Sequence, residues 1–298
     1  MLRSHLGEFA ALFTVFFWTA TALTFESASK KVGSFAVNFI RLFFALILLS
    51  VFTFFFRDMA VPTDASSHNW MWLSVSGFIG LVLGDFFLLE SFIRIGSRTS
   101  MLIMTLVPPM TAFISWMMLG EVLTILNLLG MLLTLAGIAL VVLNKTNSDK
   151  SVKLKLPLKG LIFAFLGAVG QSVGLVFSKV GMGNYNAFAA TQIRVFAGLV
   201  GFGIFITLWR KWGDVSKAIF NKKAMFRIAI GSFFGPFLGI SFSLFAVQHA
   251  NTGVASTIMA MVPVLIIPAS VIFLKQKATY KEVIGAVISV LGVALFFV

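Results

Sequence analysis

Three charged residues, Arg41, Asp85 and Arg194, stand inside stretches that are otherwise apolar. A charge at the middle of a bilayer costs about 2.5–3.5 kcal/mol or more unless it is paired or hydrated, so each of the three needs a partner or water. Two roles fit a carboxylate and a guanidinium at similar depth. Asp85 serves as a proton or substrate-amine site with Arg41 as its partner or as a carboxylate anchor, or the two form a static salt bridge between helices. Arg194 holds in the second half of the chain the place that Arg41 holds in the first, but the position matching Asp85 there is Ile240. An arginine with no matching acid, facing an aqueous cavity, is an anion site. Polar uncharged candidates for the same cavity are Trp18, Asn38, Thr105, Gln171, Gln192, Ser241 and Ser243. The same residue types also bond one helix to another or mark an interface. Glu90 and Arg94 have the spacing of an ordinary helix-surface pair, and Glu121, just ahead of a helix, fits a capping role.

The elements that must position these side chains follow from composition. Of 298 residues 59% are apolar, 35 are Phe and 11% are charged, and the mean hydropathy is +1.02. Such a chain cannot hide its apolar surface in one aqueous globule; it needs lipid as solvent. Apolar runs of about twenty residues recur, each long enough for a helix to cross about 30 Å of hydrocarbon. Ten spans are predicted, near 8–28, 34–56, 70–93, 97–119, 122–144, 158–178, 186–209, 225–248, 252–274 and 279–298. Pro108 and Pro263 fall near the middle of the fourth and ninth, where each removes a helix hydrogen bond and predicts a bend, a candidate hinge. Gly167, Gly170 and Gly174 predict a close helix contact. The first span is read as a retained helix, being longer than a signal-peptide core and lacking a clear cleavage site.

The spans repeat. Residues 80–143 lie over residues 235–298 without a gap, matching Gly84 to Gly239, Met104 to Met259, Pro108 to Pro263, Gly130 to Gly285 and Gly137 to Gly292. The chain therefore divides into a first five-helix repeat (1–144), a basic linker (145–159) and a second repeat (160–298). Lys and Arg crowd the loops after the odd-numbered spans, whereas the other side carries only Arg3, Arg57 and Lys179. By the positive-inside rule the crowded loops are cytoplasmic and both termini lie outside. A unit with an odd number of crossings re-enters the membrane upside down, which makes the repeat inverted and predicts a central cavity. Topology accounts for the net charge of +13, so no nucleic-acid partner is implied; the basic loops are placed to touch lipid headgroups.

Leu119-Gly120-Glu121 and Thr124, followed by Gly130 and Gly137, resemble the closing signature of an EamA-type domain of the drug/metabolite transporter superfamily. Leu106-Val107-Pro108 and the paired Ile40-Arg41 and Ile193-Arg194 belong to the same pattern, and the resemblance covers nearly the whole chain as two copies. It implies an all-helical ten-span carrier whose halves enclose a central cavity, in a superfamily with many exporters of amino acids and other small metabolites.

The expected function is a secondary transporter in a bacterial-type cytoplasmic membrane, exporting a small metabolite by alternating access in exchange for protons. Asp85, Arg41, Arg194, Asn38, Gln171, Gln192, Trp18 and Ser241 are the candidate substrate and ion residues. A lipid or lipid-linked sugar flippase shares the fold and differs in whether the cavity opens sideways. An integral-membrane enzyme fits less well, because ten scattered acids offer no catalytic cluster. Cysteine is absent and the three histidines fall in tails or loops, so no metal or other cofactor is expected. No phosphate-binding loop of the Walker type points to ATP as a direct energy source.

Overall fold

A computed structural model describes residues 5–148, 157–274 and 279–298, in which all regular structure is helical. Among them nine helical segments are long and apolar enough to cross a membrane, and a tenth, shorter apolar segment covers Thr252–Pro268. The helices are apolar on nearly every face, as spans must be when one side meets lipid and the other meets protein.

In the first half, α1 (Leu6–Val32) meets α2 (Ser34–Arg57) at Gly33. Its φ of 84° is open to glycine and strained for other residues. The third span runs through α3 (Ser67–Gly77), a π-helical turn (Phe78–Gly84) and the start of α4 (Asp85–Met104). At Gly96, with φ 76° and ψ 158°, α4 folds back, and its remainder begins the fourth span. That span continues as α5 (Val107–Leu119), and α6 (Ile125–Ser148) completes the half.

The second half repeats the scheme. It holds α7 (Leu158–Met182), α8 (Ala187–Leu208), the short α9 (Trp212–Phe220), α10 (Lys222–Ser232), a π-helical turn (Phe233–Gly239), α11 (Ile240–His249), α12 (Thr252–Met259), α13 (Val262–Leu274) and α14 (Tyr280–Ala294). The two π turns fall at the positions that match in the sequence overlay, as do the α4–α5 and α12–α13 breaks. The expected basic linker falls mostly outside the described residues, between the end of α6 and the start of α7. The amphipathic α9 lies in a stretch read from sequence as loop; it is too short to span.

Pro108 and Pro263 do more than bend a continuous helix. The chain leaves α-helix at Thr105–Leu106 and again at Ala260–Met261, and each proline stands second in the helix that follows. A proline there loses nothing, because first-turn N–H groups have no intrahelical partner. Both spans are thus discontinuous.

Two glycine-lined seams join the halves. Along the first, α6 and α14 run antiparallel, with Gly130 against Gly292 and Gly137 against Gly285. A Cβ on Gly137 would come within 2.5 Å of the Gly285 carbonyl oxygen. Between these contacts the Thr134 hydroxyl reaches the Ser289 carbonyl at 3.5 Å and the Ser289 hydroxyl reaches the Thr134 carbonyl at 3.3 Å. Thr134 and Ser289 are matched positions of the overlay, so a pseudo-two-fold axis passes between them, as an inverted repeat requires. Along the second seam Gly170 and Gly174 of α7 face Gly84 and Gly80, where a Cβ on either α7 glycine would sit 2.7 Å from the opposing Cα. This is the close contact predicted for those glycines.

Candidate functional site

Between the halves lies a cavity of about 180 Å³. Both repeats line it, and its walls are mainly Leu, Met, Phe and Val, with Arg41, Asp85, Arg194 and Gln171 as the strongly polar exceptions. Phe25, Leu89, Phe92 and Met101 carry it toward the side of the α1–α2 joint and the Gly96 turn, the basic-loop side.

Asp85 is the hub. The π turn places it, because the Asp85 N–H bonds to the Gly80 carbonyl five residues back and so rotates everything that follows. Its Oδ2 accepts a short hydrogen bond from Nη2 of Arg41 on α2, and its Oδ1 accepts from Nε2 of Gln171 on α7 at 2.5 Å. The Gln171 amide also approaches the Gly80 carbonyl at 3.4 Å. Asp85 and Arg41 are 8% and 6% exposed, so the pair predicted as possible is present and buried. The Arg41 guanidinium also lies 5.3 Å from the centre of the Phe25 ring.

Arg194 of α8 is 4% exposed, lines the cavity, and packs its backbone against Gly77. The missing Cβ of Gly80 makes room for its Nη2, which lies 3.1 Å from where that atom would be. It lies within the field of the Asp85 carboxylate. Among the described residues no hydrogen bond reaches its guanidinium, and its Nε is fully buried without a partner.

The other candidates divide. Trp18 lines the cavity against Gly239, holding the place that Gly170 and Gln171 hold against Gly84 in the other half. Thr105, Ser243 and Pro263 line it as well; Pro108 is buried beside it. Asn38 is fully buried one turn before Arg41, with neither polar side-chain atom bonded. Gln192 lies away from the cavity and fastens α8 to the end of the second span, donating to the Ser50 hydroxyl at 2.9 Å and the Ala60 carbonyl at 2.7 Å. Ser241 returns its hydroxyl to the Phe237 carbonyl and lies outside the cavity. Glu90 pairs with Arg94 at 3.1 Å and also accepts from the Ser34 hydroxyl at 2.6 Å.

Glu121 caps a different helix from the one it precedes. Its carboxylate accepts the Thr252 N–H at 2.8 Å, at the start of α12, and pairs with Lys179 of α7 at 2.5 Å. Lys179 also donates to the Ala250 carbonyl at 2.8 Å. This bridge ties the halves together on the face opposite the basic loops. A second bridge on that face joins Asp64 to Arg57 at 2.6 Å and to the Tyr185 hydroxyl at 2.8 Å. Burial alone would raise the Asp64 carboxyl, but the Tyr185 hydroxyl and the Arg57 guanidinium outweigh it and hold the group below its usual range.

Sequence reasoning missed Gly80 as the residue that admits Arg194, and missed the apolar walls. The glycine left a signal, since it recurs as Gly235; Met101 and Phe25 left none, because any apolar residue in a span looks alike.

The EamA-like transporter family matches the chain twice, over residues 5–143 and 158–298. An uncharacterized transporter of Archaeoglobus fulgidus is 28% identical over 126 residues, a match that covers 41% of this chain and 42% of that protein. A solved crystal structure superposes with a TM-score of 0.75 at 19% identity, covering 98% of this chain and 96% of the other; this likeness shows the fold.

Proposed function

The chain belongs to the EamA-like transporter family, and from that premise we propose that it is a proton-coupled exporter of small metabolites, amino acids or compounds related to them. That it is a multi-pass membrane transporter follows from the family; direction, substrate and coupling are our reading. We take residues 1–144 and 160–298 as the two repeats. The basic loops then face the cytoplasm and both termini lie outside a bacterial-type inner membrane.

One observation carries the reading: a buried carboxylate bonded to groups from both repeats, in the wall of a cavity between them. Asp85 holds Arg41 of the first repeat and Gln171 of the second, so its charge bears on how the halves sit together. Protonation would remove the Coulomb attraction to Arg41 and make one of the two accepting oxygens an O–H donor, facing an N–H donor it could no longer accept from in the same way. The two faces are built differently, which suits alternating access. The cavity extends toward the basic-loop face, while the Glu121–Lys179 and Asp64–Arg57–Tyr185 bridges tie the opposite face. Outward release requires those bridges to part and the cavity to close behind the substrate. The discontinuities at Thr105–Leu106 and Ala260–Met261 border the cavity and give the fourth and ninth spans places to flex.

Reconstitution of Asp85→Asn tests this. Transport driven by a pH gradient should disappear, while exchange of substrate at equal pH persists. Gradient-driven transport at the normal rate would remove Asp85 from the mechanism.

A further inference from the structure

We propose that the compound carried is a monoanion with an apolar body, bound through its carboxylate at Arg194, and that a zwitterionic amino acid is a poor ligand at the same place. The proposal rests on the carrier reading above and, of the substrates named there, keeps the related compounds and sets the amino acids themselves aside.

The charge count comes first. Arg41 and Arg194 contribute two positive charges to the cavity wall and Asp85 one negative, leaving a formal +1. Protonation of Asp85 makes that +2, so a demand for an anion persists through both states of the proposed proton cycle. A zwitterion leaves the excess uncompensated; a monoanion cancels it when Asp85 is ionised.

Bonding gives the same answer. A guanidinium has five N–H donors in a planar fork that fits a carboxylate edge-on. Those of Arg41 are partly used by Asp85, whereas among the described residues none on Arg194 is engaged. A charge 4% exposed and unbonded is costly, and an oxyanion entering the cavity would relieve that cost. A substrate ammonium would need a free carboxylate. Asp85 is the only acid lining the cavity among the described residues; each of its oxygens already accepts a hydrogen bond, Oδ2 from Arg41 and Oδ1 from Gln171, and its charge is already balanced by Arg41, so an ammonium would have to compete for it. The rest of the cavity wall is largely apolar, with Trp18, Leu81, Met101, Ile240, Met259 and Val262 available to an aromatic or aliphatic body.

A matched set of probes isolates the amine. 3-Phenylpropionate, phenylalanine and 2-phenylethylamine share the ring and differ in carrying the acid, both groups or the amine. Calorimetric binding to the purified full chain should rank the acid about ten-fold or more above phenylalanine, with the amine weakest. Arg194→Gln should lose that advantage, and Arg194→Lys should keep part of it, with melting curves confirming that both variants fold. Equal or tighter binding of phenylalanine, no binding of the acid, or undiminished binding of the acid to folded Arg194→Gln would each overturn the proposal. Counterflow in proteoliposomes separates it from the carrier reading. Counterflow of phenylalanine without the acid ends this ligand class and keeps the carrier. The ranked, Arg194-dependent binding without counterflow of any probe keeps the ligand class and ends the carrier.

Discussion

The two repeats built the same site twice and finished it differently. In the first, Arg41 meets Asp85, and Gln171 from the other repeat completes the carboxylate's bonding. In the second, Arg194 has Ile240 where the acid would be, and Trp18 where Gln171 would be. Duplication supplied both arginines, yet Arg41 is bonded to Asp85 while, among the described residues, no hydrogen bond reaches the Arg194 guanidinium. A site with both acids would be neutral and self-satisfied; a site with neither would carry two buried charges without compensation. The asymmetric version puts one paired arginine and one without a matching acid in a single cavity.

The largest expected effect comes from making the same replacement in both halves. Arg41→Met strands Asp85 as an unpaired buried charge and should cost about 3–5 kcal/mol. Arg194→Met removes a cation that no hydrogen bond reaches among the described residues, and Asp85 keeps Arg41 when it goes, so the change should leave stability unchanged or raise it. Thermal melting of the detergent-solubilised protein reads both; equal losses would mean that the two arginines are energetically alike and the contrast fails.

The glycine contacts sharpen the comparison at smaller amplitude. In Gly174→Ala the new methyl would meet the Gly80 backbone at 2.7 Å, and backbone cannot step aside, so a loss of about 1–3 kcal/mol is expected. In Gly235→Ala the methyl would meet the Thr21 side chain at 2.8 Å, a contact with side chain rather than backbone, so a smaller loss is expected. The first variant should melt earlier than the second. The reverse order would show that the α7 seam yields more easily than its counterpart.

The smallest effect concerns the bridged face. Asp64 is held below its usual range by groups from both repeats, so its contribution should be complete above pH 3.8 and fade as pH falls further. Asp64→Asn should therefore lower stability near neutral pH by no more than about 1 kcal/mol, since the bridge is partly exposed. The gap to the parent should close in acid. A gap that widens on acidification would contradict the assigned sign.

Much of this was legible in the residues. Gly, Pro and Thr recurring at a fixed offset revealed the inverted repeat, because those residues mark backbone geometry that both copies must keep. The cost of charge in lipid singled out Arg41, Asp85 and Arg194 without any structure. Gln171 joined the list because an amide facing lipid is expensive, but its bond to Asp85, across 86 residues of sequence, could not be read. Glu121 shows the same limit. Its neighbour in sequence suggested one helix to cap, and the fold gave it another, 131 residues away, because the antiparallel halves bring remote turns together on one face.

The reciprocal bonds between Thr134 and Ser289 carry a consequence for how such a molecule arises and how it tolerates being cut. Each of those residues gives to its counterpart what it receives, as in an assembly of two identical chains. A chain severed between Ser148 and Leu158 keeps every one of those contacts, so the fragments, produced together, should recognise each other and restore one functional molecule. Co-expression of the two fragments followed by co-purification checks this; fragments that do not associate would show that the covalent tie is needed to bring the halves together.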